Sequence, residues 1–95
     1  MEAAAAIADP IRRRVLELVR DRELPAGELA EQFDVSRPAV SRHLRVLREA
    51  GLVQERREGR LRLYRADPAP LAELRQWLER YWDDRLGALK ELAES

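Results

Sequence analysis

The chain has 95 residues, the size of one compact domain with a modest core; 38 % are charged and only 5 % are aromatic. It contains no cysteine, which excludes a disulfide framework, a thiolate metal site and a thiol redox switch. Eighteen bases balance eighteen acids, but unevenly: residues 36–65 hold nine arginines against three acids, a surplus of +6, and the remainder holds nine bases against fifteen acids, a deficit of −6. A basic middle between acidic flanks suits a polyanionic partner, whatever the zero net charge suggests.

Taken in chain order, the opening MEAAAAIADP lacks a basic leader, and its apolar run is too short for a signal peptide or a membrane span. It predicts a first helix over 2–8. Asp9-Pro10 reads as an N-cap followed by proline at the first helical position, opening a second helix to about 21 with Ile11, Val15, Leu18 and Val19 on one face. Leu24-Pro25-Ala26-Gly27 breaks it, and a short helix over 26–33 is expected to bury Leu29, Ala30 and Phe33. Ser36 is the next N-cap, with Pro38 in the first turn, and the helix it opens runs to Ala50, with Gly51 as the residue past its end. On that helix Val40, Leu44 and Leu47 cluster on one side, and Arg37, Pro38, Ser41, Arg42, Arg45, Arg48 and Glu49 occupy the opposite arc.

From 52 to 66 the period changes to two, with turn chemistry at Glu58-Gly59, which reads as a β-hairpin. Asp67-Pro68 starts a last helix over 68–93, on which Leu71, Leu74, Leu78, Tyr81, Leu89 and Leu92 fall near heptad spacing, widened by Trp77, Trp82 and Leu86. The predicted fold is one domain over 1–95, mainly α with a β-hairpin wing: a winged helix-turn-helix of order α-α-α-α-β-β-α. Residues 26–50 form the helix-turn-helix and 52–66 the wing.

A short helix, a tight turn and a second helix with a polar outer arc form a unit that enters the DNA major groove. Arginine pairs bidentately with guanine, serine contacts bases or phosphates, and the free N–H groups at a helix start attract a phosphate. The expected DNA contacts are therefore Ser36, Arg37, Pro38, Ser41, Arg42 and Arg45 on the helix, and Arg56, Arg57, Arg60 and Arg62 around the hairpin turn. The apolar stripe of the last helix is wider than one small domain can cover. Residues 1–8 and 68–93 are thus expected to form a homodimer through Ile7, Leu74, Leu78, Tyr81, Trp82, Leu86 and Leu89.

The run ELAEQFDVSRPAVSRHLRVLREAGLVQERREGRLRLYR resembles the DNA-binding core of the ArsR/SmtB family of bacterial and archaeal repressors, and the resemblance extends over most of the chain. It implies a cytoplasmic, nucleoid-associated homodimeric transcriptional repressor that binds double-stranded DNA at an inverted-repeat operator and releases it on an effector signal, such as an unidentified small molecule. Members that sense metals use cysteines near the recognition helix, or histidine with carboxylates on the last helix. Here the single histidine is His43, and Glu79, Asp83 and Asp84 have no histidine beside them on the last helix. The expectation is a member without a metal site or cofactor. His43 is expected to be a packed, hydrogen-bonded core residue, and the acids a solvated face. In the family the turn between the two helices often carries glycine; Asp34 stands there instead, a residue that tolerates a left-handed backbone. No catalytic constellation is present, so an enzyme is not expected. The rival reading is a winged-helix protein-interaction module without DNA binding, which would replace the basic arc by acids or apolar residues.

Overall fold

The computed structural model describes residues 2–94, and their side chains except those at 84–86, 88–90 and 94; it follows the expected order with one addition. The elements are α1 (Glu2–Ala6), α2 (Pro10–Leu18), β1 (Leu24–Pro25), α3 (Ala26–Glu31), α4 (Arg37–Glu49), β2 (Val53–Glu58), β3 (Leu61–Ala66) and α5 (Ala69–Glu94). α2, α4 and α5 each start where a side chain satisfies free N–H groups, whereas α3 follows Pro25 with no side-chain cap. Asp9 Oδ1 accepts from the N–H groups of Ile11 and Arg12 at 2.8 and 3.1 Å. Ser36 Oγ accepts from Ala39 N–H at 3.2 Å, and Asp67 Oδ1 from Ala69 N–H at 3.0 Å. The end of α1 is closed by the next helix. Arg12 Nε donates to the Ala6 carbonyl at 2.6 Å and Arg12 Nη2 to that of Ala5 at 3.2 Å, so one guanidinium fastens two elements.

The added element is β1. α2 ends at Leu18, before the expected 21, because the Val19 carbonyl accepts from Ala66 N–H at 3.0 Å and the chain leaves the helix there. Leu24 and Pro25 then pair with Tyr64 and Leu63, giving an antiparallel sheet of order β1-β3-β2. Proline is tolerated because β1 is an edge strand. α3 also ends early, at Glu31: Gln32 N–H bonds to Leu29 O at 3.1 Å and Phe33 N–H to Ala30 O at 3.3 Å, the i→i+3 pattern that tightens a last turn. That tightening makes the bend without a left-handed residue. Asp34 does not adopt the left-handed backbone expected of it, since no described residue other than glycine has positive φ.

Gly51 and Gly59 are the described residues with positive φ, at 74° and 61°. Past α4, Leu52 N–H bonds to Leu47 O at 2.9 Å and Gly51 N–H to Arg48 O at 3.0 Å, the paired bonds of a Schellman end. Leu47 and Leu52, the side chains this closure brings together, are both fully buried. The hairpin turn lies one residue past the expected Glu58-Gly59: Glu58 still pairs in β2, and Gly59 takes the first position of the Gly59-Arg60 loop, as a type II′ turn requires.

The core joins Ala3 and Ala6 of α1, Val15 and Leu16 of α2, Leu29 of α3, Val40, Leu44 and Leu47 of α4, and Leu52, Val53 and Tyr64 around the sheet. Ile7, Ala30, Phe33 and Leu71 pack at its edge. Because Val40, Leu44 and Leu47 face inward, the opposite arc of α4 is held outward. α5 reaches the core with Leu71 and Leu74, and past Leu74 every described side chain of that helix is exposed. A helix of 26 residues is about 39 Å long, which accounts for the 64 × 24 × 20 Å shape. Among the described residues no helix is long and apolar enough to cross a membrane.

Candidate nucleic-acid interface

On α4 the residues at 36–38, 41, 42 and 45 are all exposed. Arg37 lies back over the start of α3: a Cβ added at Gly27 would sit 2.9 Å from its Nη2, so glycine leaves room for the guanidinium. Arg42 has no ion pair among the described residues, and Arg45 pairs only with Glu49, one turn on, at 3.0 Å. Such an exposed i,i+4 pair is worth a few tenths of a kcal/mol, about 0.3–0.5, and gives way readily to a phosphate or base.

Register sorts the wing arginines. Arg57 and Arg62 are directly opposite each other, on the sheet face that also carries Val53, Glu55 and Tyr64. That face turns toward α4, for Ser41, Leu44, Arg45, Arg48, Arg62 and Tyr64 line one cleft of about 240 Å³. Two arginines opposed across a ladder repel, and a phosphate between them would relieve it. At the tip, Arg60 and Arg62 share a wider cleft of about 540 Å³ with Arg37, Glu28 and Glu31. Arg56 is on the other face. Its Nε and Nη2 donate to Glu23 Oε2 and Oε1, both at 3.0 Å, and Nη2 also reaches Glu58 at 3.1 Å. These hydrogen bonds, Glu23 first, push the Arg56 pKa further up and hold Glu23 below the ordinary carboxylate range. The structure thus brings together Ser41, Arg45, Arg62 and, at the tip, Arg37 with Arg60, and leaves Arg56 committed elsewhere.

Two acids were not singled out from the sequence. Glu55 is set into the α4-facing side of the wing, where Arg48 Nη1 donates to its Oε2 at 2.7 Å and Tyr64 OH to the same oxygen at 3.2 Å. Period-two alternation puts Glu55 on the Val53 face, so an inward acid needing cationic partners was a legible signal. Glu23 had none, since its position depends on the unexpected strand β1. Partial burial pushes the Glu55 carboxyl up, and the hydrogen bonds from Arg48 and Tyr64 more than offset this, leaving it below its ordinary value. Burial and the neighbouring Glu55 charge push the Tyr64 phenol up.

His43 is half-buried on the inner side of α4. Arg12 Nη1 donates to its Nδ1 at 3.2 Å, so that nitrogen is the acceptor, and Asp9 Oδ1 lies 4.0 Å away. The expected interface residues of the terminal helices divide. Leu74 is buried within the chain and Ile7 partly so; Leu78, Tyr81 and Trp82 are exposed; Leu86 and Leu89 lie outside the described side chains, as does Asp84. Trp77 and Tyr81 stack with centroids 5.8 Å apart, and Trp82 stands edge-on to Tyr81 at 6.1 Å.

Residues 9–55, from the cap of α2 into β2, match the model of the bacterial regulatory protein family arsR. The chain is 46 % identical over 90 residues to the HTH-type transcriptional regulator Rv2034 of Mycobacterium tuberculosis, covering 95 % of this chain and 84 % of that protein. It is 34 % identical over 73 residues to the transcriptional repressor SdpR of Bacillus subtilis, covering 77 % and 81 %. Among solved structures, an ArsR-like transcriptional regulator from Rhodococcus sp. RHA1 superposes with a TM-score of 0.83 at 38 % identity, over 99 % of this chain and 89 % of that one. A possible transcriptional regulator for arsenical resistance gives 0.79 at 43 % identity, over 100 % and 97 %. The exposed basic arc, the wing beside it and these relatives agree: the chain is a winged helix-turn-helix DNA-binding regulator, not an enzyme, and it belongs to the ArsR family.

Proposed function

We propose that this regulator is a cytoplasmic homodimeric repressor that binds an inverted-repeat operator, with α4 reading the major groove and the wing gripping the backbone beside it. One observation carries the reading: Ser41, Arg42 and Arg45 are exposed on the outer arc of α4, and the wing face bearing Arg57 and Arg62 turns toward that arc. Arginines at 42 and 45 have the reach for guanine O6 and N7. The start of α4, with Ser36, Arg37 and Pro38, offers N–H groups and a positive dipole end to a phosphate. Arg57, Arg60 and Arg62 supply backbone contacts, and Arg56 contributes least because Glu23 and Glu58 hold it. In this reading residues 26–50 are the helix-turn-helix, 52–66 the wing, and 1–8 with 68–93 the dimerisation helices. The repressor SdpR among the relatives supports repression as the sense of regulation.

The test begins with selection of bound sequences from a random duplex pool, which yields the operator. Arg42→Ala and Arg45→Ala are each expected to weaken operator binding by about 1–3 kcal/mol, read by fluorescence anisotropy. Operator affinities in both variants equal to the parent's would remove the α4 arc from the interface.

A further inference from the structure

Glu55 stands at the root of the wing, in register with Tyr64, with its side chain 16 % exposed. An acid on a face that meets phosphate is electrostatically out of place, and its contacts give the reason for it. Oε2 accepts from Arg48 at 2.7 Å and from the Tyr64 hydroxyl at 3.2 Å, and Oε1 lies 3.8 Å from Arg62 Nε. One carboxylate therefore joins the last turn of α4 to the returning strand of the wing. Among the described residues, Arg48–Glu55 is the one polar side-chain link between α4 and the wing. It holds the Arg48 guanidinium by a hydrogen bond and draws that of Arg62 toward it at longer range, narrowing which phosphates the two can reach. A glutamate carboxyl is ionised at neutral pH, so the link is charged there, and its lowered pKa extends that charge toward acid.

We propose that Glu55 is a positioning residue for operator discrimination: it fixes the wing against the recognition helix and restrains Arg48 and Arg62, so that operator DNA is favoured over random DNA. This rests on the reading of α4 and the wing as the DNA-binding face. The restraint acts on the two kinds of DNA differently. On random duplex, freed arginines add unspecific phosphate contacts and raise affinity. On the operator, where the wing must lie in one place for α4 to seat its side chains, a loosened wing loses alignment.

The experiment compares operator and random duplex binding over a salt series for the parent, Glu55→Asp, Glu55→Ala, Tyr64→Phe, Arg42→Ala and Arg57→Ala, each checked by thermal melting. Glu55→Asp keeps the charge but draws the carboxylate back by about 1.5 Å, so it cannot hold Arg48 and Tyr64 together. Its operator-to-random ratio is expected to fall about fivefold, the worth of one ordinary hydrogen bond, since the site is partly exposed. Glu55→Ala is expected to tighten random binding, steepen its salt slope by about one to two units, and lower the ratio further. Tyr64→Phe changes no charge and is expected to lower the ratio by a smaller factor. If Glu55→Ala does not fold, Glu55→Asp and Tyr64→Phe carry the test.

An acid that only repels DNA predicts equal tightening on both duplexes in Glu55→Ala and a parental ratio in Glu55→Asp. An acid that only stabilises the fold predicts lower melting temperatures with ratio and slope unchanged. Either result overturns the proposal while leaving the DNA face intact, provided Arg42→Ala and Arg57→Ala still weaken binding. Parental binding by those two overturns the face and this role of Glu55 together.

Discussion

Gly51 links one backbone angle to the placement of the interface. Its φ of 74° lets the chain reverse past α4, so that Leu52 N–H reaches Leu47 O and the wing root follows within two residues. A Cβ there would meet Pro70 Cγ at 3.6 Å, an ordinary approach, so the strain of substitution is conformational. Gly51→Ala is expected to destabilise the fold by about 1–2 kcal/mol, the cost of a left-handed residue with a Cβ. The measurement is the urea midpoint, with an unchanged m-value showing that only stability moved. Titratable residues give a second prediction. Asp9 is pushed up by partial burial and down, by more, by the N–H groups of Arg12 and Ile11; Glu55 behaves likewise with Arg48 and Tyr64. A carboxyl depressed in the folded state adds stability that is complete above its unfolded pKa and lost as pH falls through the folded one. Stability is therefore expected to hold down to about pH 5 and to decline below about pH 4, near and under ordinary carboxyl values. Glu55→Gln is expected to shallow that decline in urea midpoints taken across the range; a slope identical to the parent's would show that Glu55 is not among the groups responsible.

Elements were legible in the sequence to the extent that their causes are local. α4 was, because Ser36, Pro38, the spacing of Val40, Leu44 and Leu47, and Gly51 are all within one stretch of chain, and each occupies the expected place. The hairpin was legible from alternation and Gly59. β1 was not: two residues carry no periodicity, and Leu24 becomes a strand only by pairing with Tyr64, which is far along the chain. The same distance hid Glu23 as the partner of Arg56, and composition could not rank the four arginines around the hairpin turn, 56, 57, 60 and 62. Register does rank them, and this yields a prediction for the wing. Arg57→Ala and Arg60→Ala are expected to weaken operator and random duplex nearly alike, each lowering the salt slope by about one unit because one phosphate is no longer neutralised. Arg56→Ala, whose guanidinium is engaged by Glu23 and Glu58, is expected to leave the slope near the parent's. Anisotropy titrations at several salt concentrations separate the two outcomes, and a slope lowered by a full unit in Arg56→Ala would place that residue on DNA.

At the scale of the molecule, α5 exceeds what one chain can cover. The helix packs on α1 and the core as far as Leu74, and then presents Trp77, Leu78, Tyr81 and Trp82 at 45, 40, 45 and 59 % exposure. Aromatic and aliphatic surface grouped on one helix face favours association, since large side chains of this kind gain most from burial. The basic surplus lies in residues 36–65, whereas residues 1–8 and 68–93 hold six acids against four bases, so pairing through the terminal helices would leave the basic face free for DNA. A two-fold axis there would turn both copies of α4 outward, able to enter successive major grooves about 34 Å apart. Sedimentation at micromolar concentration is expected to show a species of about 22 kDa, twice the 11.0 kDa chain, as two-fold pairing requires. The melting temperature is expected to rise with protein concentration, because association stabilises the folded chain by mass action. Trp82→Glu places a charge within the aromatic face and is expected to give monomers that no longer bind the operator, although residue 82 is on the helix remote from the basic arc. A Trp82→Glu protein that remains a dimer would move the interface off this face, and a parental monomer that binds each half of a palindrome independently would remove the dimer altogether.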